Sequence, residues 1–74
     1  MYRIGIDVGG TFTDLVAVDD DGGVTFAKSP STPEDQSIGV MAGLEKLASS
    51  VGTTLGDMLS ETSRIVHGTT VATN

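Results

Sequence analysis

A chain of 74 residues with ten acidic and four basic side chains, a net charge of −6, one histidine and no cysteine makes at most one small domain with a modest core. Disulfides, thiolate nucleophiles, Cys-based zinc sites and a His-rich metal site within the chain are excluded, and Arg3, Lys28, Lys46 and Arg64 are too scattered for a nucleic-acid interface built on a basic patch. No apolar run approaches membrane-spanning length and Met1-Tyr2-Arg3-Ile4 has no leader pattern, so no membrane association is expected and the cytoplasm is the expected compartment.

Tyr2 to Val8 and Thr13 to Val18 alternate and are rich in β-branched residues, and Val24 to Ala27 repeats the pattern more briefly. Three strands in an up-down-up meander are predicted, with turns at Gly9-Gly10 and Asp20–Gly23. Lys28-Ser29-Pro30-Ser31 reads as a connector. The acids Asp19-Asp20-Asp21 lack the alternate-residue ligand spacing and closing glutamate of a calcium loop, which leaves a charged hairpin turn.

The first turn carries chemistry. Ile4-Gly5-Ile6-Asp7-Val8-Gly9-Gly10-Thr11-Phe12-Thr13-Asp14 runs an apolar strand into an aspartate, a glycine pair and two threonines. Glycines let backbone N–H groups approach an anion, threonine hydroxyls add donors, and an aspartate at a strand end can hold a hydrated Mg²⁺. The chain has no G-x-x-x-x-G-K-[ST] loop and no G-x-G-x-x-G opening a helix, so a phosphate cradle here would be built on a hairpin. A plain hairpin whose glycines serve only the turn is the alternative. It has no use for Asp7, Thr11, Thr13 and Asp14 in one arc.

Thr32-Pro33-Glu34-Asp35 predicts a helix start, with Thr32 as cap, Pro33 at the first helical position and two acids at the positive end of the dipole. Val40, Leu44, Leu47 and Val51 recur at helical spacing, Ile38, Met41 and Ala48 widen the stripe, and Gly52 can end the helix. Gly39 and Gly43 suit close packing on a sheet. Leu55–Leu59 predicts a short helical turn. Arg64–His67 predicts a fourth strand, parallel to a neighbour because a helix leads into it.

After that strand, Gly68-Thr69-Thr70-Val71-Ala72-Thr73-Asn74 predicts a tight turn opening another helix, and hence the amino-terminal piece of a longer protein. His67-Gly68-Thr69-Thr70 is a second candidate site, since α/β sheets place ligands where strand ends meet helix N-termini. The alternative is a strand end with two capping threonines. Parallel first and fourth strands would bring the two motifs to one sheet edge.

Asp7–Asp14 and His67–Asn74 together closely resemble the amino-terminal segment of the hydantoinase A / 5-oxoprolinase family, which includes N-methylhydantoinase A, 5-oxoprolinase, and acetone and acetophenone carboxylase subunits. The resemblance spans essentially the whole chain. It implies an α/β fold, the ribonuclease-H-like ATPase lobe of the actin, Hsp70 and sugar-kinase type in β-β-β-α-β order, incomplete over residues 1–74. It also implies ATP and Mg²⁺, with Asp7 binding the metal through water. Gly9, Gly10 and Thr11 would line the phosphates and Thr13 and Asp14 would buttress the turn, all but Asp14 counting as nucleotide-binding residues. His67, Gly68, Thr69, Thr70 and Asn74 would form a neighbouring wall. The function implied is ATP-dependent opening of a cyclic amide such as a hydantoin or 5-oxoproline, assisted by a hydantoinase B-type partner subunit or fused domain. The carboxylase branch, acting on a ketone, and a non-catalytic segment that keeps the fold are the alternatives.

Overall fold

The computed structural model describes residues 1–69. Strands β1 (Tyr2–Val8), β2 (Phe12–Asp19) and β3 (Val24–Pro30) are followed by helices α1 (Gln36–Val51) and α2 (Leu55–Ser60) and by strand β4 (Thr62–Thr69). They form one sheet in the order β3-β2-β1-β4, with the first three strands antiparallel and β4 parallel to β1.

Strand alternation sends Ile4, Ile6 and Val8 of β1 and Leu15 and Ala17 of β2 to the face that the helices cover. Leu44, Leu47 and Ala48 of α1 and Met58 of α2 meet them there, and all nine are buried. Each large side chain so removed from water contributes roughly 1.5–3 kcal/mol. Val40 and Val51 pack at the margin of this core, whereas Ile38 and Met41, expected to widen the stripe, are exposed. The other sheet face is open, and on it Phe12, Val24, Phe26 and Val66 are exposed.

The separation of helix and sheet is set at Gly43. A Cβ added there would overlap the Leu15 Cδ1, and one added at Gly39 would lie 2.8 Å from the Pro30 carbonyl oxygen. Gly52 ends α1 in the left-handed region at φ 82°, and its N–H and that of Thr53 return to the carbonyls of the last turn.

Three boundaries differ from expectation. The helix starts at Gln36, because Thr32–Asp35 closes as a turn with the Asp35 N–H on the Thr32 carbonyl (3.0 Å). Proline fits the second position of such a turn as well as the first position of a helix, since both need φ near −65°. Asp35 is the cap, accepting from the Ser37 N–H (3.1 Å) and Ser37 Oγ (2.6 Å). Strand β3 runs on to Pro30 through residues expected to be a connector; as an edge strand it tolerates a proline at its end. Strand β4 begins at Thr62 and continues through Gly68 and Thr69, held by pairing to Asp7 and Val8, where a turn was expected after His67. The helix expected beyond that turn lies outside the described residues.

Candidate phosphate-binding turn

Asp7 is the penultimate residue of β1 and stands directly opposite Asp14 on β2 and Gly68 on β4. All three belong to the open face. Asp14 pairs with Lys28 at 3.5 Å, and both side chains are more than half exposed, so the ion pair contributes at most about 1 kcal/mol. The same ammonium stands 5.3 Å from the centre of the Phe12 ring. The exposed Asp7 carboxylate has no hydrogen bond or ion pair among the described residues. A hollow of about 290 Å³ is lined by both aspartates with Gly5, Val16 and Phe26.

The β1–β2 turn is closed by the Gly9 N–H on the Phe12 carbonyl (3.0 Å). Among the described residues, the Gly10 and Thr11 N–H groups donate to no acceptor. Gly10 has open space where a Cβ would stand, and Thr11 is exposed. Adjacent unpaired N–H groups beside a hydroxyl are what an anion such as phosphate takes. No group of three acidic, histidine or cysteine residues that could hold a metal ion occurs among the described residues. The exposed Asp7 carboxylate fits Mg²⁺, which takes one or two carboxylates and fills its remaining positions with water and phosphate oxygens.

The remaining candidates are divided by the sheet. Thr13 faces the helices and is buried, its hydroxyl 3.1 Å from Ser31 Oγ, a placement suited to buttressing the turn from within. His67 pairs with Ile6 and so belongs to the helix-covered face, opposite to that of Asp7, and its side chain is exposed. Gly68 shares the face of Asp7, and Thr69 ends the strand beside Val8. The two motifs thus meet at one sheet edge with Asp7 and His67 on opposite faces. Thr70 and Asn74 lie outside the described residues.

Ser31, read from the sequence as part of a connector, is at the centre of the turn's bonding. Its N–H donates to the Thr11 carbonyl (2.8 Å) and its hydroxyl to the Gly9 carbonyl (2.7 Å). Nothing local marks it, because its partners are about 20 residues away. The acids at 19–21 form a turn of their own, with the Asp19 carboxylate accepting from the Asp21 and Gly23 N–H groups (2.9 and 3.0 Å).

Known proteins resemble this chain over nearly its whole length. The alpha subunit of caprolactamase from Pseudomonas jessenii is 42% identical over 73 residues, covering 99% of this chain and 10% of the relative. The gamma subunit of acetophenone carboxylase from Aromatoleum aromaticum is 45% identical over 71 residues, 96% of this chain and 10% of the relative. The nucleotide-free structure of acetone carboxylase, from work on ATP-dependent acetone carboxylation, superimposes with a TM-score of 0.87 at 33% identity, over 95% of this chain and 10% of that one. A nucleotide-free diol dehydratase-reactivating factor gives 0.67 at 24% identity, over 89% and 12%, a likeness of fold. The architecture is that of an actin/Hsp70-like ATPase lobe, and the chain spans about a tenth of the length of these relatives. A family model described as the hydantoinase/oxoprolinase N-terminal region matches residues 3–74, and the chain belongs to that family.

Proposed function

We propose that this chain carries the first phosphate-binding turn of an ATP-dependent enzyme that opens a cyclic amide. The observation that carries the reading is the pair of N–H groups at Gly10 and Thr11, on the hairpin that follows Asp7, with no acceptor among the described residues. Kinship with a caprolactamase subunit supports a cyclic amide as substrate class. Bound ATP would supply the phosphoryl group that activates the amide oxygen, making the carbonyl carbon a better electrophile for water.

The chain's own part is positioning and charge. Gly10 and Thr11 hold phosphate oxygens through their N–H groups, the Thr11 hydroxyl adds a donor, and Asp7 holds hydrated Mg²⁺. Gly9 shapes the turn, Thr13 supports it, and Gly68 stands beside Asp7 on the same sheet face at the end of β4. No serine, threonine or lysine among the described residues is hydrogen-bonded to His67, so no paired nucleophile and base is assigned to this segment. A partner subunit is part of the reading, because the relatives are named as subunits.

A second reading, a subunit of a ketone carboxylase, is favoured by the 45% and 35% identities to acetophenone and acetone carboxylase subunits. ADP release by the full-length protein with its partner subunit separates the two. The panel holds hydantoins, 5-oxoproline, a simple lactam, and ketones with bicarbonate. Stimulation by a cyclic amide supports the first reading, and stimulation by a ketone with bicarbonate moves the assignment to the second. ADP release that no member stimulates sinks both.

A further inference from the structure

Ser31 makes three contacts with the turn. Its hydroxyl proton is committed to the Gly9 carbonyl at 2.7 Å, so the 3.1 Å contact with Thr13 is a bond that Thr13 donates and Ser31 accepts. Its N–H holds the Thr11 carbonyl at 2.8 Å. Both carbonyls on either side of Gly10 are therefore drawn to one residue. No peptide bond among the described residues is cis, and in a planar trans peptide the N–H points opposite to the preceding carbonyl. Drawing the Gly9 carbonyl toward Ser31 aims the Gly10 N–H away from it, and drawing the Thr11 carbonyl does the same for the Phe12 N–H.

Ser31 is itself fixed at both ends. Pro30 closes β3 opposite Phe12. Thr32 Oγ1 accepts from the Gly39 N–H of α1 (2.9 Å) and donates to the Asp35 carbonyl (2.6 Å). The turn is thereby braced against a strand and a 16-residue helix.

We propose that Ser31 is a positioning residue for phosphoryl transfer, its hydroxyl setting the Gly9–Gly10 peptide plane so that the Gly10 N–H faces the nucleotide phosphates, while its N–H anchors the following Thr11–Phe12 peptide. This rests on the nucleotide reading of the turn. Ser31→Ala removes the bond to the Gly9 carbonyl and leaves the Thr13 hydroxyl without its partner. Ser31→Thr keeps a hydroxyl at the same place.

The test is ATP affinity by titration calorimetry on the full-length protein with its partner subunit, without organic substrate, followed by steady-state ADP release. Ser31→Ala should weaken ATP binding about tenfold, the scale of one net hydrogen bond. The KM for ATP should rise and the KM for the organic substrate should stay unchanged. Ser31→Thr should recover affinity to within about threefold, the spread left to an added methyl group. Wild-type ATP affinity in a folded Ser31→Ala protein overturns the proposal. So does equal loss in the Ala and Thr variants, which would mark a packing role only. The parent reading fails separately, if the wild-type protein binds no ATP or if Asp7→Asn turns ATP over at the wild-type rate.

Discussion

Two hairpin turns in this sheet share their ingredients and differ in where their hydrogen bonds go. Residues 19–23 hold three aspartates and two glycines, and Asp19 consumes the turn's own donors while Gly22 adopts φ 85°. The Asp19 N–H and the Gly23 carbonyl then close it at 3.0 Å. In residues 9–12 the Gly9 and Thr11 carbonyls go to Ser31 instead, and the Gly10 and Thr11 N–H groups have no acceptor among the described residues, with Asp7 and Asp14 opposite each other at the base. A turn that satisfies itself is finished; a turn held from behind by its carbonyls has donors left for a ligand. Acid and glycine content does not separate these cases, but the destination of each N–H does.

Substitutions in the full-length enzyme sharpen this contrast, with substrate-stimulated ATP hydrolysis as the common assay. Asp7→Asn removes the charge assigned to the metal and should lower turnover by on the order of hundreds-fold or more, at an unchanged melting temperature. Turnover equal to that of a variant in the 19–23 turn would leave the first hairpin a turn and nothing more. Thr11→Ala deletes one exposed hydroxyl and should cost about ten- to a hundredfold, the range for a hydrogen bond to a charged group. An effect as large as that of Asp7→Asn would mean that the hydroxyl, and not the metal, dominates the site.

In the second hairpin the expectations invert. Asp19→Ala should leave ATP turnover within about twofold of wild type while speeding amide exchange at residues 21–23 several-fold, the equivalent of about 1 kcal/mol for bonds made at an exposed position. Loss of activity there would erase the distinction between the turns. Asp20→Asn changes only an exposed carboxylate that meets the chain's amino terminus at 3.1 Å, and should be silent in both measurements.

Much of the frame was legible because it is local. The alternation of Ile4, Ile6 and Val8 against Gly5 and Asp7 fixes the buried face of β1, and Leu44, Leu47 and Ala48 mark that of α1. Their periods survive in the sequence whatever packs against them. The parallel placement of β4 followed from the helical connection that precedes it. The true start of α1 was not legible, because Thr32 and Asp35 can both cap a helix and the bonds from Ser37 decide between them. For the candidate site, Asp7 and the glycine turn stood out by residue type. Ser31 did not, since its role depends on a strand register that brings it to Gly9 from 22 residues away. The separation of Asp7 from His67 across the sheet likewise depends on the pairing of Ile6 with His67, which neither motif contains.

Gly43 carries a warning for anyone who reads function from a mutational scan of this family. The helix rests on Leu15, and Leu15 is the neighbour of Asp14 in the chain. Any side chain at 43 must displace the buried Leu15 side chain, and close-packed interiors pass on what such a side chain cannot yield by rotation. A position in mid-helix, without a donor, an acceptor or a charge in its side chain, should therefore score as intolerant as the residues of the turn. Loss of activity there would report a distance between two layers and carry no information about phosphate chemistry.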